Sequence, residues 1–470
     1  MKKIDNIRIK FTYCIVLLLL FRAFTGIYAQ QPYRYGSAGD EFRRELIHDS
    51  IMSDFSKRFI LLDSLLNRAT AVADGTSACF SFTADTLLDS VFLAKRIHEQ
   101  RAFQRKSGLE LTGQAYQRLD NTLGFDEDND QYSRYNTKFQ GEIGWNFFNS
   151  SFYQRKTELK LISQTNRQEY LQARKQRMLS EWDERKERIE QKYDRMTAAV
   201  LYEQLKNTGL LHRAYRFVYG KERSSNEKLL NVMNEEMRLE YALVQAGGSE
   251  HRAETPGGGE IAIVRPVLVK VDTMRLPEAV RTQNPDLQLS LVREQMIASR
   301  IRLTNYGQGM RLTPFVRASH YLRSTLPSST NVEAGARFTF PLYDDTSAKR
   351  KALRTEEVIE SLQRNQLYED VWASCRRILS QLDRLNAAIA AEYRYEQNLR
   401  RFIALRKEAY LNSRNGYNHI ARLEEYNEYL KSLERTYGLL RLRSLCLLDL
   451  QKASGCPNLA VFITEEEVRE

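Results

Sequence analysis

The residue types that carry out chemistry are present in this sequence, but not at catalytic spacing. The six histidines are scattered. No HExxH, GxSxG or paired CxxC occurs, so neither a zinc hydrolase, a nucleophile elbow nor a dithiol redox site is indicated. His212 and His419 read as ordinary surface or core histidines. The glycines of "TPGGGE" precede no lysine and serine of a phosphate loop. Cys79, Cys375, Cys446 and Cys456 fit no metal or redox pattern. Cys375 and Cys446 fall on apolar helix positions and read as core. Cys79 and Cys456 lie in loop-like stretches and could pair in an oxidising compartment. The expectation is a chain without catalytic residues, metal or cofactor, and so not an enzyme.

What the polar residues offer instead is a wet surface. In "KFQGEIGWNFF", Lys138, Gln140 and Glu142 alternate with Phe139, Ile143, Trp145 and Phe147. In "NVEAGARFTF", Glu333 and Arg337 alternate with Val332, Ala334, Ala336, Phe338 and Phe340. Period-two alternation makes a strand with one polar and one apolar face. Each such strand has an earlier partner, "LELTGQAYQRL" from Leu109 and "PFVRASHYLRS" from Pro314.

The elements that hold these strands are long helices. Proline breaks helix interiors, and none occurs between Pro32 and Pro256 or between Pro341 and Pro457. Met178, Trp182, Ile189, Tyr193, Met196 and Val200 keep steps of three, four or seven. Val371, Cys375, Ile378, Leu382, Leu385 and Ile389 alternate four and three, the seam spacing of packed helices. A helix from Ser150 to Val218 would reach roughly 100 Å at a rise of about 1.5 Å per residue, and a bundle is its natural home.

The pattern occurs twice. Lys156 and Lys351 close matching Arg-Lys pairs 195 residues apart, and "YGKERSSNEKLL" at Gly220 answers "NGYNHIARLEEY" at Gly416, 196 residues on. Each unit reads helix, strand, strand, long helix, tight turn, long helix. The expected organisation is a leader over 1–29, an N-terminal segment over 30–84, a first repeat over 85–246, a linker with an extended segment over 247–273, a second repeat over 274–455 and a solvated tail over 456–470. "LDSLLNRATAVA" and "TLLDSVFLAKRIHEQ" read as helical.

The leader has a basic region (Lys2, Lys3, Arg8, Lys10), an apolar run over Phe11 to Phe21 and a cut after Ala29. That run is too short to span a bilayer, and no cysteine follows in lipobox position, so no lipid anchor is expected. Removing the leader's five basic and one acidic residues from +11 leaves +7. These charges are interspersed with acids, as on a solvated helix face, and nucleic acid is not an expected partner.

An alternating strand of about ten residues in a secreted chain suits an outer membrane. Lipid tolerates no open sheet edge, and four strands cannot enclose a wet pore, so several chains must share one barrel. Here the sequence resembles the TolC-like outer-membrane channels of efflux and type I secretion systems. "LPEAVRTQNPDLQLSLVREQMIASRIRL" resembles the family's repeat-opening helix, with Asn284 and Pro285. "GARFTFPLYDDTSAKRKAL" resembles the strand that ends in Pro-Leu before the long helix. "NGYNHIARLEEYNEYLKSLERTYGLLRLRSLCLLDLQKASG" resembles the closing segment, with Gly416 at the tip and Ser454-Gly455 at the end. The first repeat has Phe147-Phe148 where the second has Pro341-Leu342. His419 and Arg422 stand where the family has a hydroxyl residue and an acid.

The resemblance implies a mixed α/β membrane protein. Duplicated helical hairpins form a periplasmic tunnel, and four strands per chain contribute to a shared 12-stranded barrel. It implies a homotrimer in the outer membrane that docks to a periplasmic adaptor and an inner-membrane pump or ABC transporter, and conducts passively. Lys138, Gln140, Glu142, Glu333 and Arg337 are expected to face the lumen, and Trp145, Phe147, Phe338 and Phe340 the lipid. Gly220 and Gly416 are expected at the hairpin reversals. His419, Arg422 and Glu425 are expected near the periplasmic mouth, where Arg422 and Glu425, at i and i+3, would hold it shut through exposed ion pairs with a neighbouring hairpin. The alternative is a periplasmic coiled-coil scaffold that never inserts.

Overall fold

The computed structural model describes residues 38–68, 71–72, 78–81, 86–104, 109–117, 124–126, 131–133, 137–145, 152–218, 224–246, 261–306, 311–322, 327–339, 346–412 and 418–468. The expected leader and the positions of Phe147, Gly220, Phe340 and Gly416 lie outside them. In chain order the elements are α1 (Ala38–Leu66), β1 (Ala71–Val72), α2 (Thr86–Gln104), β2 (Leu109–Gln117), β3 (Gly124–Asp126), β4 (Gln131–Ser133) and β5 (Thr137–Trp145). Then come α3 (Phe152–Val218), α4 (Ser224–Gln245), β6 (Val264–Arg265), β7 (Val267–Val271), α5 (Leu276–Gln283), α6 (Pro285–Tyr306), β8 (Arg311–Leu322) and β9 (Ser329–Thr339). The second long helix, α7 (Thr346–Asn412), is followed by α8 (His419–Ser454), a short 3₁₀ turn and β10 (Ile463–Glu467).

The duplication is visible in the helices. α3 and α7 each have 67 residues. α7 starts 194 residues after α3 (Thr346 against Phe152) and ends 194 after it (Asn412 against Val218). Their apolar seams face inward: Met178, Trp182, Ile189, Tyr193 and Val200 are buried on α3, and Cys375, Leu382 and Ile389 on α7. A helix of this length is stabilised by packing along its apolar stripe more than by intrinsic propensity.

The described residues form two compact units. One gathers α1, the end of α3 from Leu205, the start of α4 to Arg238 and the first turn of α8 to Glu424. Ile51, Phe55, Phe59, Leu62 and Leu65 line the buried stripe of α1 at steps of three and four, and Leu210, Leu211 and Leu423 are buried in the same unit.

The other unit holds the sheet and the remaining helices. Strands β2, β5, β8 and β9 pair in that order, antiparallel throughout. One core cluster joins Leu276, Val280, Leu287, Cys375, Leu450, Cys456 and Leu459. A second joins Leu171, Leu289, Val292 and Met296.

Three local expectations change. The repeat-opening segment is two helices, because Asn284 takes an extended conformation (ψ 122°) between α5 and α6. A residue before proline is driven out of helical space by the pyrrolidine ring. The tail is not simply solvated: β10 pairs antiparallel with β7, and Lys270 meets Glu466 at 2.8 Å. "LDSLLNRATAVA" is helical only to Leu66, at the end of a helix that begins at Ala38, and Ala71–Val72 pairs parallel with Val264–Arg265.

Candidate functional site

The sheet presents two faces of different chemistry. Lys138, Gln140 and Glu142 on β5 share a face with Arg317, Ser319 and Tyr321 on β8 and with Glu333 and Arg337 on β9. The opposite face carries Leu111, Phe139, Ile143, Trp145, Val316, Leu322, Val332 and Phe338, all exposed. Leu111 is 79% exposed, Val332 71% and Phe338 56%. So continuous an apolar surface marks contact with another apolar phase or with protein.

The polar face is ordered by one acid. Glu142 accepts from Arg317 Nε at 3.2 Å and Nη2 at 3.0 Å, and Arg337 Nη2 lies 3.4 Å from its other oxygen. Arg317 and Arg337 also stack on the Phe315 ring, 5.1 and 5.6 Å from its centroid. Gly335 makes room for that ring, since a Cβ there would come within 2.8 Å of it. Lys138 lies over the Tyr321 ring at 5.1 Å. Of the five residues assigned to the wet face, the structure puts all on one side and joins Glu142 to Arg337. It also adds Arg317, which is not among the residues expected on that face from the sequence. Its alternation with Ser319 and Tyr321 was the available signal, but its place beside Glu142 depends on strand register.

The hairpin-end residues are arranged differently from expectation. Arg422 is 5% exposed, and its Nη2 donates to both carboxylate oxygens of Asp63 on α1 at 3.0 Å. Its guanidinium stacks 4.3 Å from the centroid of Phe59. Glu425 pairs with Arg406 on α7. Both acid–base contacts are therefore made inside the chain, and Arg422 is buried where an exposed pair was expected. The reason is α1, whose apolar stripe covers the first turn of α8. His419 packs against Phe55 and Phe59, with ring centroids 5.6 and 5.9 Å away. Burial lowers its pKa below the ordinary imidazole value, and Arg422 and His48 lower it further. Arg213 pairs with Asp54 at 3.0 Å, Arg58 donates to Asn207 at 2.5 Å, and Tyr215 donates to Glu424 at 2.6 Å.

Two motifs noted in the sequence meet in space. The Asn284 carboxamide oxygen accepts from the backbone N–H of Asp286 at 2.9 Å and of Leu287 at 3.3 Å, capping α6. Its nitrogen donates to the carbonyls of Ala453 and Ser454 at 3.3 and 3.2 Å, at the end of α8. Gly455 follows in the left-handed region (φ +66°), and a Cβ there would lie 2.6 Å from Pro285 Cδ. One asparagine thus starts one helix and closes another, and the glycine is required both by its φ and by the proline.

No group of three or more His, Cys, Asp or Glu able to hold a metal occurs among the described residues. No helix among them is long and apolar enough to cross a membrane.

Comparison with solved structures places this architecture. The chain is similar to the Campylobacter jejuni CmeC outer membrane channel, with 11% identity and a TM-score of 0.51 over 84% of this chain and 86% of that one. It is also similar to the open state of the Neisseria gonorrhoeae MtrE outer membrane channel, with 10% identity and a TM-score of 0.50 over 83% of this chain and 96% of that one. No protein-family model and no curated protein matches the sequence. The chain has the TolC-like fold, in which long helical hairpins are joined to a four-stranded antiparallel sheet.

Proposed function

We propose that this chain is the outer-membrane channel of a tripartite efflux or type I secretion system. The observation that carries the reading is the sheet: four strands, one face exposed and apolar, the other lined with charge, and two edges without a partner strand among the described residues. In lipid each unpaired backbone group costs several kcal/mol, so both edges require partners. With four alternating strands, β2 runs antiparallel to β9. The β9 edge of one copy therefore suits the β2 edge of the next, and copies arranged head to tail close a ring. Three copies make the 12-stranded barrel that the fold implies.

In that barrel Phe338, Trp145, Ile143 and Val332 meet lipid, while Lys138, Gln140, Glu142, Glu333 and Arg337 meet water. The Glu142–Arg317–Arg337 cluster leaves a net positive charge on the conducting surface. Conduction is passive, and a periplasmic adaptor and an inner-membrane pump or ABC transporter supply the energy. His419, Arg422 and Glu425 brace the periplasmic mouth from within the chain, through Phe55, Asp63 and Arg406 respectively.

Membrane fractionation with planar-bilayer conductance tests the reading. The expected result is a detergent-stable trimer in the outer-membrane fraction that conducts ions. A soluble periplasmic protein without conductance refutes it and favours a scaffold. If the brace holds the mouth, replacing Arg422 and Glu425 together by alanine raises conductance or open probability. Unchanged conductance at several salt concentrations assigns closure elsewhere.

A further inference from the structure

The sheet, the hairpin ends and the helix caps leave one set of chemically competent side chains unused. Three of the four described cysteines converge on one core. Cys375 and Cys456 are both buried in the cluster of Leu276, Val280 and Leu450, Cys79 packs against it, and all three are in the thiol form in this structure. The fourth, Cys446, stands apart, with its thiol 3.5 Å from the Ile378 carbonyl.

The backbone explains the convergence. The Gln451 side-chain nitrogen donates to the carbonyl of Phe80 at 2.6 Å and also to that of Pro457 at 3.3 Å. Each of these residues directly follows a cysteine. A single buried amide thus holds the chain beside Cys79 and the chain beside Cys456 within reach of one nitrogen. Ala78 is fully buried, which fixes the segment from its other side. Cys456 is in the turn after Gly455, where its N–H bonds the Ser454 hydroxyl at 3.3 Å. Neither Cys79 nor Cys456 belongs to a helix or strand. Disulfides demand a close Cα approach and a particular torsion, and loop backbone adjusts to this at low cost. Cys375 is in the middle of α7, where helical hydrogen bonds fix its backbone.

We propose that Cys79 and Cys456 form a disulfide, tying the segment that leads into α2 to the turn that closes α8. The inference rests on export of the chain to an oxidising compartment, as in the proposed function. The oxidant is a protein disulfide donor of that compartment. The Cys79 thiolate attacks the donor disulfide and forms a mixed disulfide, releasing one donor thiol. The Cys456 thiolate then attacks the Cys79 sulfur and expels the second donor thiol. Two thiols of this chain lose two electrons and two protons, and the donor is reduced to a dithiol. The exchange precedes burial of Cys456. Once made, the bond closes a loop over nearly the whole mature chain, and long loops restrict the unfolded ensemble most.

The test uses the full chain, exported, trapped with an alkylating reagent at harvest, then denatured, reduced and labelled with a second, heavier reagent. Cys79 and Cys456 are expected to carry the heavy label, and peptide mapping without reduction to find them in one linked peptide. Cys375 and Cys446 react only as thiols. On a denaturing gel the unreduced protein runs faster than the reduced. That difference disappears in Cys79→Ala and persists in Cys375→Ala and Cys446→Ala. The same chain expressed without its leader stays fully reduced. Light label on Cys79 and Cys456 in exported protein overturns the proposal, as does a Cys375–Cys456 link. Since membrane insertion is read separately, loss of the bond in an inserted trimer leaves the channel reading intact. A bond in a chain that never inserts refutes the channel alone.

Discussion

Replacing Glu396 by glutamine changes how the protein's stability depends on pH. Glu396 is on α7 and is fully buried beside Tyr429 and Tyr437 of α8, themselves fully buried. Burial raises its pKa from 4.5 to about 7. Arg400 opposes the rise, Glu392 adds to it and the neighbouring Tyr429 opposes it. Glu392 is itself engaged by Ser432 at 2.8 Å and Arg435 at 3.0 Å. A carboxyl displaced that far corresponds to about 3 kcal/mol, at about 1.4 kcal/mol per pH unit. The folded state holds this proton more tightly than the unfolded chain does. The associated stability is therefore fully present below the unfolded value near 4.5 and is lost as pH rises through about 7. Urea unfolding of the wild-type protein and Glu396→Gln across pH 4.5 to about 9 reads the effect. Groups common to both proteins cancel in the difference. The variant is expected to gain about 3 kcal/mol relative to wild type between the two ends of the range, most of it between the unfolded value near 4.5 and the folded value of about 7. A difference that stays flat with pH, or that grows toward acid, refutes the reasoning, because Glu396 would then ionise as freely folded as unfolded.

Phe338→Asp puts a charge on the apolar face of β9 and is expected to cost roughly 2 kcal/mol in a bilayer, lowering the yield of inserted trimer in outer-membrane fractions. Gly455→Ala places a Cβ at positive φ against Pro285 and is expected to cost about 2 kcal/mol, read as a lowered melting temperature. Asp63→Ala removes the carboxylate that engages buried Arg422 and is expected to cost about 2–3 kcal/mol, read as faster hydrogen exchange and proteolysis within Ala38–Leu66.

What the sequence determined by itself are the elements whose cause is local. Alternation in β5 and β9 sorted Glu142 from Trp145 and Glu333 from Phe338, because successive strand residues must point to opposite faces. Steps of three and four along α3 and α7 named the buried seam, because a helix returns to the same face at that interval. The duplication was legible because both copies keep the same order and helix length. What the tertiary structure decided are the meetings between residues far apart in the chain. Periodicity does not say that Arg317 stands beside Glu142, since register is set by pairing. It does not say that Asp63 reaches Arg422 across 359 positions, that Asn284 caps the helix ending at Ser454, or that β10 completes a ladder with β7. Glu396 reads as one more charge on a polar helix, and only packing against α8 removes its water and with it its ordinary acidity. Burial and partnership come from which surfaces meet, and that meeting is fixed by the packing of the whole chain.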